Sequence, residues 1–177
     1  MSDFEGLDIE DIVNKKNTKK VNGNKKGKRT ERQIVQKLKD RFGEGFSRSV
    51  GSGNRWAQTS YLPEHAKQTF TGDICCPEGF LWIFECKGGY SEIDIHNFFA
   101  NPNAEFEGFL AQAENDGKTV NKKPVVIWKK DRKPILAIYK QSDLTHQFNP
   151  CMLYKDWCIV NFDDFLKLPD NIFIQNH

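Results

Sequence analysis

Charge embedded in two short β-rich runs constrains this chain more than any other feature. Gly72 to Cys76 and Phe80 to Lys87 are separated by Pro77-Glu78-Gly79, a turn sequence, and predict an antiparallel hairpin. The second run opens with the apolar Phe80-Leu81-Trp82-Ile83-Phe84 and ends in Glu85-Cys86-Lys87; the first carries Asp73. Side chains alternate faces along a strand, so Glu85 and Lys87 share one face and Cys86 points the other way. If Cys76 pairs with Phe80 across the turn, Asp73 lies opposite Ile83, diagonal to Glu85 and on its face. Diagonal neighbours have Cβ atoms about 7–8 Å apart or less, so the two carboxylates can converge on one cation.

Two acids and a lysine beside such an apolar strand are costly to bury without partners. A hard divalent cation settles that charge. Mg²⁺ takes one or two carboxylates, keeps waters and binds phosphate oxygens. It can lower the pKa of a bound water and stabilise charge on a phosphate. Lys87 can hold or deprotonate that water, or neutralise developing charge.

A helix is predicted upstream. Thr30-Glu31-Arg32-Gln33 fits a capping box, with Thr30 at the cap. Ile34, Val35, Leu38 and Phe42 follow at helical spacing, and Gly43 and Gly45 end the element. Glu31 falls on the same stripe, three, four and seven residues before Ile34, Val35 and Leu38. An acid on a core-facing stripe has two readings. It completes a metal site against the sheet, or it favours the helix dipole at the N-terminus.

Phe46 to Val50 reads as a short strand, Gly51-Ser52-Gly53-Asn54 as a flexible loop, and 55–70 as polar and irregular. Asn101-Pro102 looks like a cap for a helix carrying Phe106, Phe109, Leu110 and Ala113 and stopping at Gly117. Pro124 to Trp128 and Ile135 to Tyr139 form a strand pair around Lys130-Asp131-Arg132. Trp157 to Phe162 is a last strand and Asp163 to Leu168 a short final helix. This order predicts a mixed sheet with helices packed on it, between α/β and α+β.

Charge is unevenly placed. Residues 1–11 hold five acids and no base, and residues 12–29 hold eight bases, among them Lys28 and Arg29, and no acid. The remainder, with 18 bases and 19 acids, is nearly neutral. Residues 1–27, rich in Asn and Gly and poor in apolar residues, are expected to form a flexible basic tail, and 28–177 the single domain. Such a tail on a neutral body suits nucleic-acid phosphates, although a solvated tail is the simpler alternative.

No apolar run approaches the ~20 residues of a membrane span, so no membrane partner is expected. The N-terminus lacks the pattern of a secretory signal. Five cysteines without a regular framework suggest reduced thiols and a cytoplasmic location. No Gly-rich phosphate loop with its lysine and no GxSxG motif is present, which argues against a nucleoside triphosphatase or a serine hydrolase.

Gly72-Asp73 followed by Glu85-x-Lys87 resembles the PD-(D/E)xK nuclease signature, with Gly where Pro is common. Arg48-Ser49-Val50-Gly51-Ser52-Gly53, preceded by a helix with Glu31, resembles archaeal-type Holliday junction resolvases and their viral relatives, over roughly residues 28–140. The resemblance implies a restriction-endonuclease-like fold, a five-stranded mixed β-sheet flanked by helices. It implies a metal-dependent DNA endonuclease that leaves 5′-phosphate ends, with Mg²⁺ as cofactor and Mn²⁺ able to substitute. By position, Glu31, Asp73, Glu85 and the backbone carbonyl of Cys86 would be metal ligands, and Lys87 the catalytic base or charge stabiliser. Arg48 and Ser52 would contact DNA. A four-way junction needs two matched cuts, which a C2 homodimer supplies. The stretch between Gly53 and Gly72 is longer than in the compact archaeal enzymes and could read a different substrate.

Other residues are weighed beside these. Arg55 and Trp56 could contact and stack on nucleic acid, or pack. Gln112 reads most simply as a solvated glutamine beside the apolar stripe, although some nucleases of this fold place a helix glutamine near the site. Lys122, Lys123, Lys129, Lys130, Arg132 and Lys133 could form a phosphate-binding rim. Ile93, Ile95, Phe98 and Phe99 suit an interface or the core. The four histidines and the cysteines lack zinc-site spacing, and the cysteines suit small buried apolar positions. The alternatives in function are a nuclease of this fold with another DNA target, a catalytically inactive nucleic-acid-binding module, and an RNA-binding protein with a basic tail.

Overall fold

The structure is a computed structural model of the chain and describes residues 23–49, 71–90, 93, 103–144 and 152–175. The elements are α1 (Gly23–Phe42), β1 (Ser47–Arg48), β2 (Ile74–Cys75), β3 (Trp82–Gly88), α2 (Ala104–Val120), β4 (Lys123–Lys129), β5 (Ile135–Lys140), β6 (Met152–Tyr154), β7 (Trp157–Asn161), α3 (Phe162–Phe165) and α4 (Asp170–Phe173). Five strands form one sheet in the order β3-β4-β5-β7-β6, and β1 pairs with β2 beside it. β3 and β4 are parallel, with Glu85 level with Val126 and Lys87 with Trp128. The other ladders are antiparallel. A parallel pair needs a crossover, and α2 supplies it. The mixed five-stranded sheet flanked by helices is the restriction-endonuclease-like α/β architecture.

Alternation along the strands divides the core in two. Val125, Ile127, Ala137, Tyr139 and Val160 face α1, α3 and α4, while Val126, Trp128, Ile138 and Ile159 face α2. β4 is buried from Pro124 through Trp128, as a central strand covered on both faces must be. Phe42, Phe46, Phe80 and Phe173 stack where α1 meets the sheet, with Phe42 and Phe173 centroids 4.8 Å apart and Phe46 and Phe80 5.1 Å apart. Each fully buried ring contributes roughly 1.5–3 kcal/mol, so this cluster fixes where α1 lies. Among the described residues no helix is long and apolar enough to cross a membrane.

Several boundaries differ from the sequence expectation. α1 begins at Gly23, so part of the segment expected as tail is helical and Thr30 is no cap. Thr30 is buried instead against β3, where a Cβ on Gly88 would meet its Oγ1 at 2.7 Å. α2 runs past Gly117 to a left-handed cap at Asn121. Gly117 is buried where a Cβ would lie 2.7 Å from the Lys122 carbonyl, so it lets the chain fold back into β4 rather than ending the helix. The N-cap is Asn103, whose side chain accepts from the Phe106 N–H; Asn101-Pro102 lies outside the described residues.

The hairpin itself is replaced. Phe80 bridges Ile174, the Leu81 N–H donates to the Phe173 carbonyl at 2.7 Å, and the Gln175 N–H donates to the Gly79 carbonyl at 2.9 Å. The C-terminal segment thus occupies the edge that Cys76 was expected to cover. β6 and α4 were not foreseen, and both are only three or four residues long.

Candidate active site

The site lies along the open edge of β3 and is anchored by backbone. The Asp73 N–H donates to the Phe84 carbonyl at 2.7 Å, and the Ser49 N–H donates to the Asp73 carbonyl at 3.0 Å. Asp73 therefore stands one residue further along β3 than the expected register, beside Phe84 rather than Ile83. Gly72 permits this approach. Its φ is +85°, and a Cβ there would lie 2.9 Å from the Phe84 carbonyl oxygen. That double constraint is why glycine sits at the position before the acid.

The Asp73 side chain closes the same edge, with Oδ2 accepting from the Cys86 N–H at 2.8 Å. In a strand the N–H and C=O of one residue point to the same side, so the Cys86 carbonyl is aimed at the edge where Asp73 lies. Glu85 and Lys87 project from the α2-facing side of β3. Lys87 Nζ lies 2.7 Å from Glu85 Oε1. Both side chains are about nine-tenths enclosed, at 12% and 8% exposure.

Gln112, on α2, joins this pair. Its Oε1 accepts from Lys87 Nζ at 2.9 Å, and its Nε2 donates to Glu85 Oε1 at 2.9 Å. The Phe109 ring one turn earlier lies 5.0 Å from Lys87 Nζ. Gln112 is therefore exposed yet a direct partner of both Lys87 and Glu85. Nothing in its local sequence distinguishes it; only the α2 crossover brings it over β3.

The third acid comes from α1. Glu31 is 7% exposed, and its Oε2 accepts from Arg48 Nε and Nη2, both at 2.6 Å. Burial pushes the Cys86 thiol well above its ordinary pKa, and Asp73, Glu85 and Glu31 push it further, against the opposing pull of Lys87. The structure thus brings Glu31, Asp73, Glu85, Lys87, Cys86 and Arg48 into one neighbourhood. Lys28 and Arg29 are exposed on α1, one turn before Glu31. Ser52, Arg55 and Trp56 lie outside the described residues.

The chemistry of these donors suits a hard cation: three buried carboxylates and a carbonyl directed at one edge. Among the described residues, no three acids, thiols or imidazoles are drawn together tightly enough to enclose a metal ion as they stand. Each carboxylate leans instead on a neighbouring cation or N–H. Glu31 Oε1 and Glu85 Oε2 have no bond to a described residue, so both can still serve as ligands.

The basic cluster foreseen around two turns is split by β4. Lys129, Lys130, Arg132 and Lys133 lie at the end of β4 level with Lys87, whereas Lys122 and Lys123 lie at the opposite end. Lys130 Nζ donates to the Ile93 carbonyl at 2.6 Å, and Lys129 Nζ to the Lys133 carbonyl. Ile93 is buried against α2 and belongs to the core; Ile95, Phe98 and Phe99 lie outside the described residues. Cys75, Cys76 and Cys158 are buried apolar residues, and burial raises the Cys76 thiol to about 12.

A sheet edge that gathers an aspartate and a Glu-x-Lys strand, with a helix glutamate above them, defines the PD-(D/E)xK class of nuclease. The chain belongs to that class: residues 22–175 match the family described as "Phage putative PDDEXK endonuclease". It is also similar to Protein D14 of Escherichia phage T5, at 31% identity over 127 residues, 70% of this chain and 74% of that protein. No solved structure matches the chain. Nucleases of this class generally use divalent metals, and the family implies DNA as substrate.

Proposed function

We propose that the chain is a Mg²⁺-dependent, structure-selective DNA endonuclease that resolves four-way junctions by paired cuts, working as a homodimer. The observation that carries this is the Glu31–Arg48 contact at 2.6 Å. It joins the helix glutamate to the first residue of the Arg-x-x-Gly-Ser-Gly segment, the two features that resemble junction resolvases beyond the common nuclease signature. Mn²⁺ would substitute for Mg²⁺, both being hard oxygen-seeking cations.

Asp73, Glu85, Glu31 and the Cys86 carbonyl would hold the cation. When bound, it supplies Lewis-acid stabilisation of charge on the phosphate oxygens. Lys87, held between Glu85 and Gln112, orients a water beside the scissile phosphorus and offsets charge as it develops there. The water oxygen forms a bond to phosphorus and the bond to the 3′ oxygen breaks, leaving a 5′ phosphate. The water's proton passes to solvent, and the departing 3′ oxygen takes up a proton. Phe109 covers Lys87 and keeps its charge from being screened by bulk water.

Shape and phosphate contacts would provide selectivity, since no base-reading element is needed for a branched substrate. Lys28 and Arg29, exposed on α1, would extend the phosphate-binding surface, together with Ser52, Arg55 and the basic segment before Gly23. Residues 28–177 would be the nuclease domain, and the enzyme would act in the cytoplasm where its DNA is.

The test is cleavage of a labelled four-way junction beside a linear duplex of the same sequence, with Mg²⁺, with chelator, and with Lys87→Ala. Paired symmetric nicks on the junction only, abolished by chelator and by Lys87→Ala, are expected. Duplex cutting with the same dependences would keep the nuclease and move its target to restriction, repair or a mobile element. Binding of DNA without any cleavage would leave only a binding module.

A further inference from the structure

The two cations of the site are held in unlike ways. Lys87 is gripped on both sides, by Glu85 and Gln112, under the Phe109 ring. Among the described residues Glu31 is the sole side-chain partner of Arg48, whose side chain is 26% exposed against 12% for Lys87. Its main chain is fixed. Arg48 pairs with Ile74, and the next N–H, of Ser49, donates to Asp73. Whatever Arg48 does, it does with its side chain.

Charge gives that side chain a task. Three carboxylates face two cations, which leaves the site near −1 when all are ionised. Without Arg48 it would stand near −2, the charge that a divalent cation matches. Two of the five guanidinium N–H donors go to Glu31 Oε2, and the planar fork that remains suits a phosphate. A nearly buried carboxylate with its counter-charge removed is costly, so Glu31 will hold either Arg48 or something that replaces it.

Taking Glu31, Asp73 and Glu85 as the metal ligands, we propose that Arg48 is a positioning residue that occupies Glu31 in the unloaded enzyme and transfers to a DNA phosphate. Metal loading and DNA binding are thereby coupled through one side chain. A cation arriving at Glu31 is repelled by the guanidinium until a phosphate draws Arg48 away. Coupling of this kind is reciprocal: DNA tightens metal binding by the factor by which metal tightens DNA binding.

Calorimetric titration with Ca²⁺, a probe that binds oxygen ligands, tests this with the full chain, alone and with uncleaved four-way DNA. Arg48→Met is expected to bind Ca²⁺ roughly tenfold more tightly than wild type in the absence of DNA, the scale of one unit charge a few ångströms away in a partly screened site. In the same variant the tightening of Ca²⁺ binding by DNA should shrink several-fold. Arg48→Lys, which keeps the charge, should restore most of the wild-type behaviour. Glu31→Gln releases the guanidinium and is expected to tighten DNA binding in chelator, which keeps the test open if Arg48→Met does not fold.

Ca²⁺ binding by wild type that is equal or tighter than in folded Arg48→Met would overturn the coupling while leaving the metal site intact. Unchanged DNA affinity in Glu31→Gln would do the same. Failure of wild type to bind Ca²⁺ or Mn²⁺, with Asp73→Asn indistinguishable from it, would instead remove the metal-site assignment and the coupling with it.

Discussion

The floor and the wall of the candidate site are built by different means. Asp73, Glu85 and Cys86 form the floor, and main-chain hydrogen bonds hold it: Asp73 to Phe84, Ser49 to Asp73, and the Cys86 N–H to the Asp73 carboxylate. Glu31 and Arg48 form the wall, and side chains hold it: the aromatic cluster that seats α1, the close fit of Thr30 on Gly88, and one ion pair. A floor of this kind cannot move without breaking the fold. A wall of this kind can be retuned without unfolding anything. Chemistry that needs fixed ligands and an adjustable entrance is served by that division.

The comparison can be broken most forcefully at Gly72. A side chain there meets the Phe84 carbonyl and forces an L residue to a φ of +85°. Left-handed backbone alone costs roughly 1–2 kcal/mol, and the clash adds to it. Gly72→Ala is expected to lose about 2–4 kcal/mol of stability in chemical denaturation and nearly all activity. A variant that melts like wild type would show that the floor is not backbone-locked.

Gly88→Ala strikes the wall. Its Cβ would sit 2.7 Å from Thr30 Oγ1, which pushes α1 and Glu31 away from β3. We expect a smaller stability loss, about 1–2 kcal/mol, with activity falling further than stability explains. Adding Thr30→Ala to that variant removes the clashing oxygen and should recover part of the activity. Recovery absent from the double variant would mean that Thr30 and Gly88 do not set the position of Glu31.

Gln112→Ala sharpens the boundary between the two. It removes one of two partners of Lys87 and one donor to Glu85 but leaves the main-chain bonds of the floor in place, so kcat should fall roughly tenfold with little change in melting, about 1.4 kcal/mol in the barrier. Equal losses in kcat and stability would show that Gln112 is packing rather than positioning.

The smallest expected effect lies away from the site. Hydrogen bonds from Lys155 and Tyr154 hold the Glu107 carboxyl below its ordinary value of 4.5, and burial with Glu107 raises Tyr154 to about 12. A depressed carboxylate stabilises the fold fully above its unfolded pKa, and that contribution is lost as pH falls through the folded value. Glu107→Gln should therefore be slightly less stable than wild type at neutral pH, and its stability should fall less steeply as pH drops below about 4.5. Wild type and variant with parallel pH profiles would contradict the assignment.

The floor was legible in the sequence because strand periodicity is local. Asp73, Glu85 and Lys87 could be brought together from alternation and a turn signal alone, although β2 pairs with β1 and the Asp73 N–H is what ties that segment to β3. Its register was off by one residue because the edge of Phe80 and Leu81 is taken by Phe173 and Gln175, almost a hundred residues away. Glu31 could be singled out as an acid on an apolar stripe, but its bond to Arg48 depends on two segments that touch only in the fold. Gln112 carried no local signal at all, being a polar residue on the outer part of an amphipathic helix. The capping box at Thr30 misled for a related reason: a threonine that fits a cap also fits a tight helix–strand contact, and tertiary packing decided between them.

Single-turnover cleavage of DNA by Asp73→Asn, with melting curves beside it, tests the central claim most directly. Asparagine keeps the size of the side chain and an oxygen for the Cys86 N–H while removing the charge. The account predicts a loss on the order of 10³-fold in cleavage rate with near wild-type melting, the scale seen when one charged group is removed from a catalytic site. Cleavage within a few-fold of wild type would contradict it, and would move the chemistry away from the edge of β3.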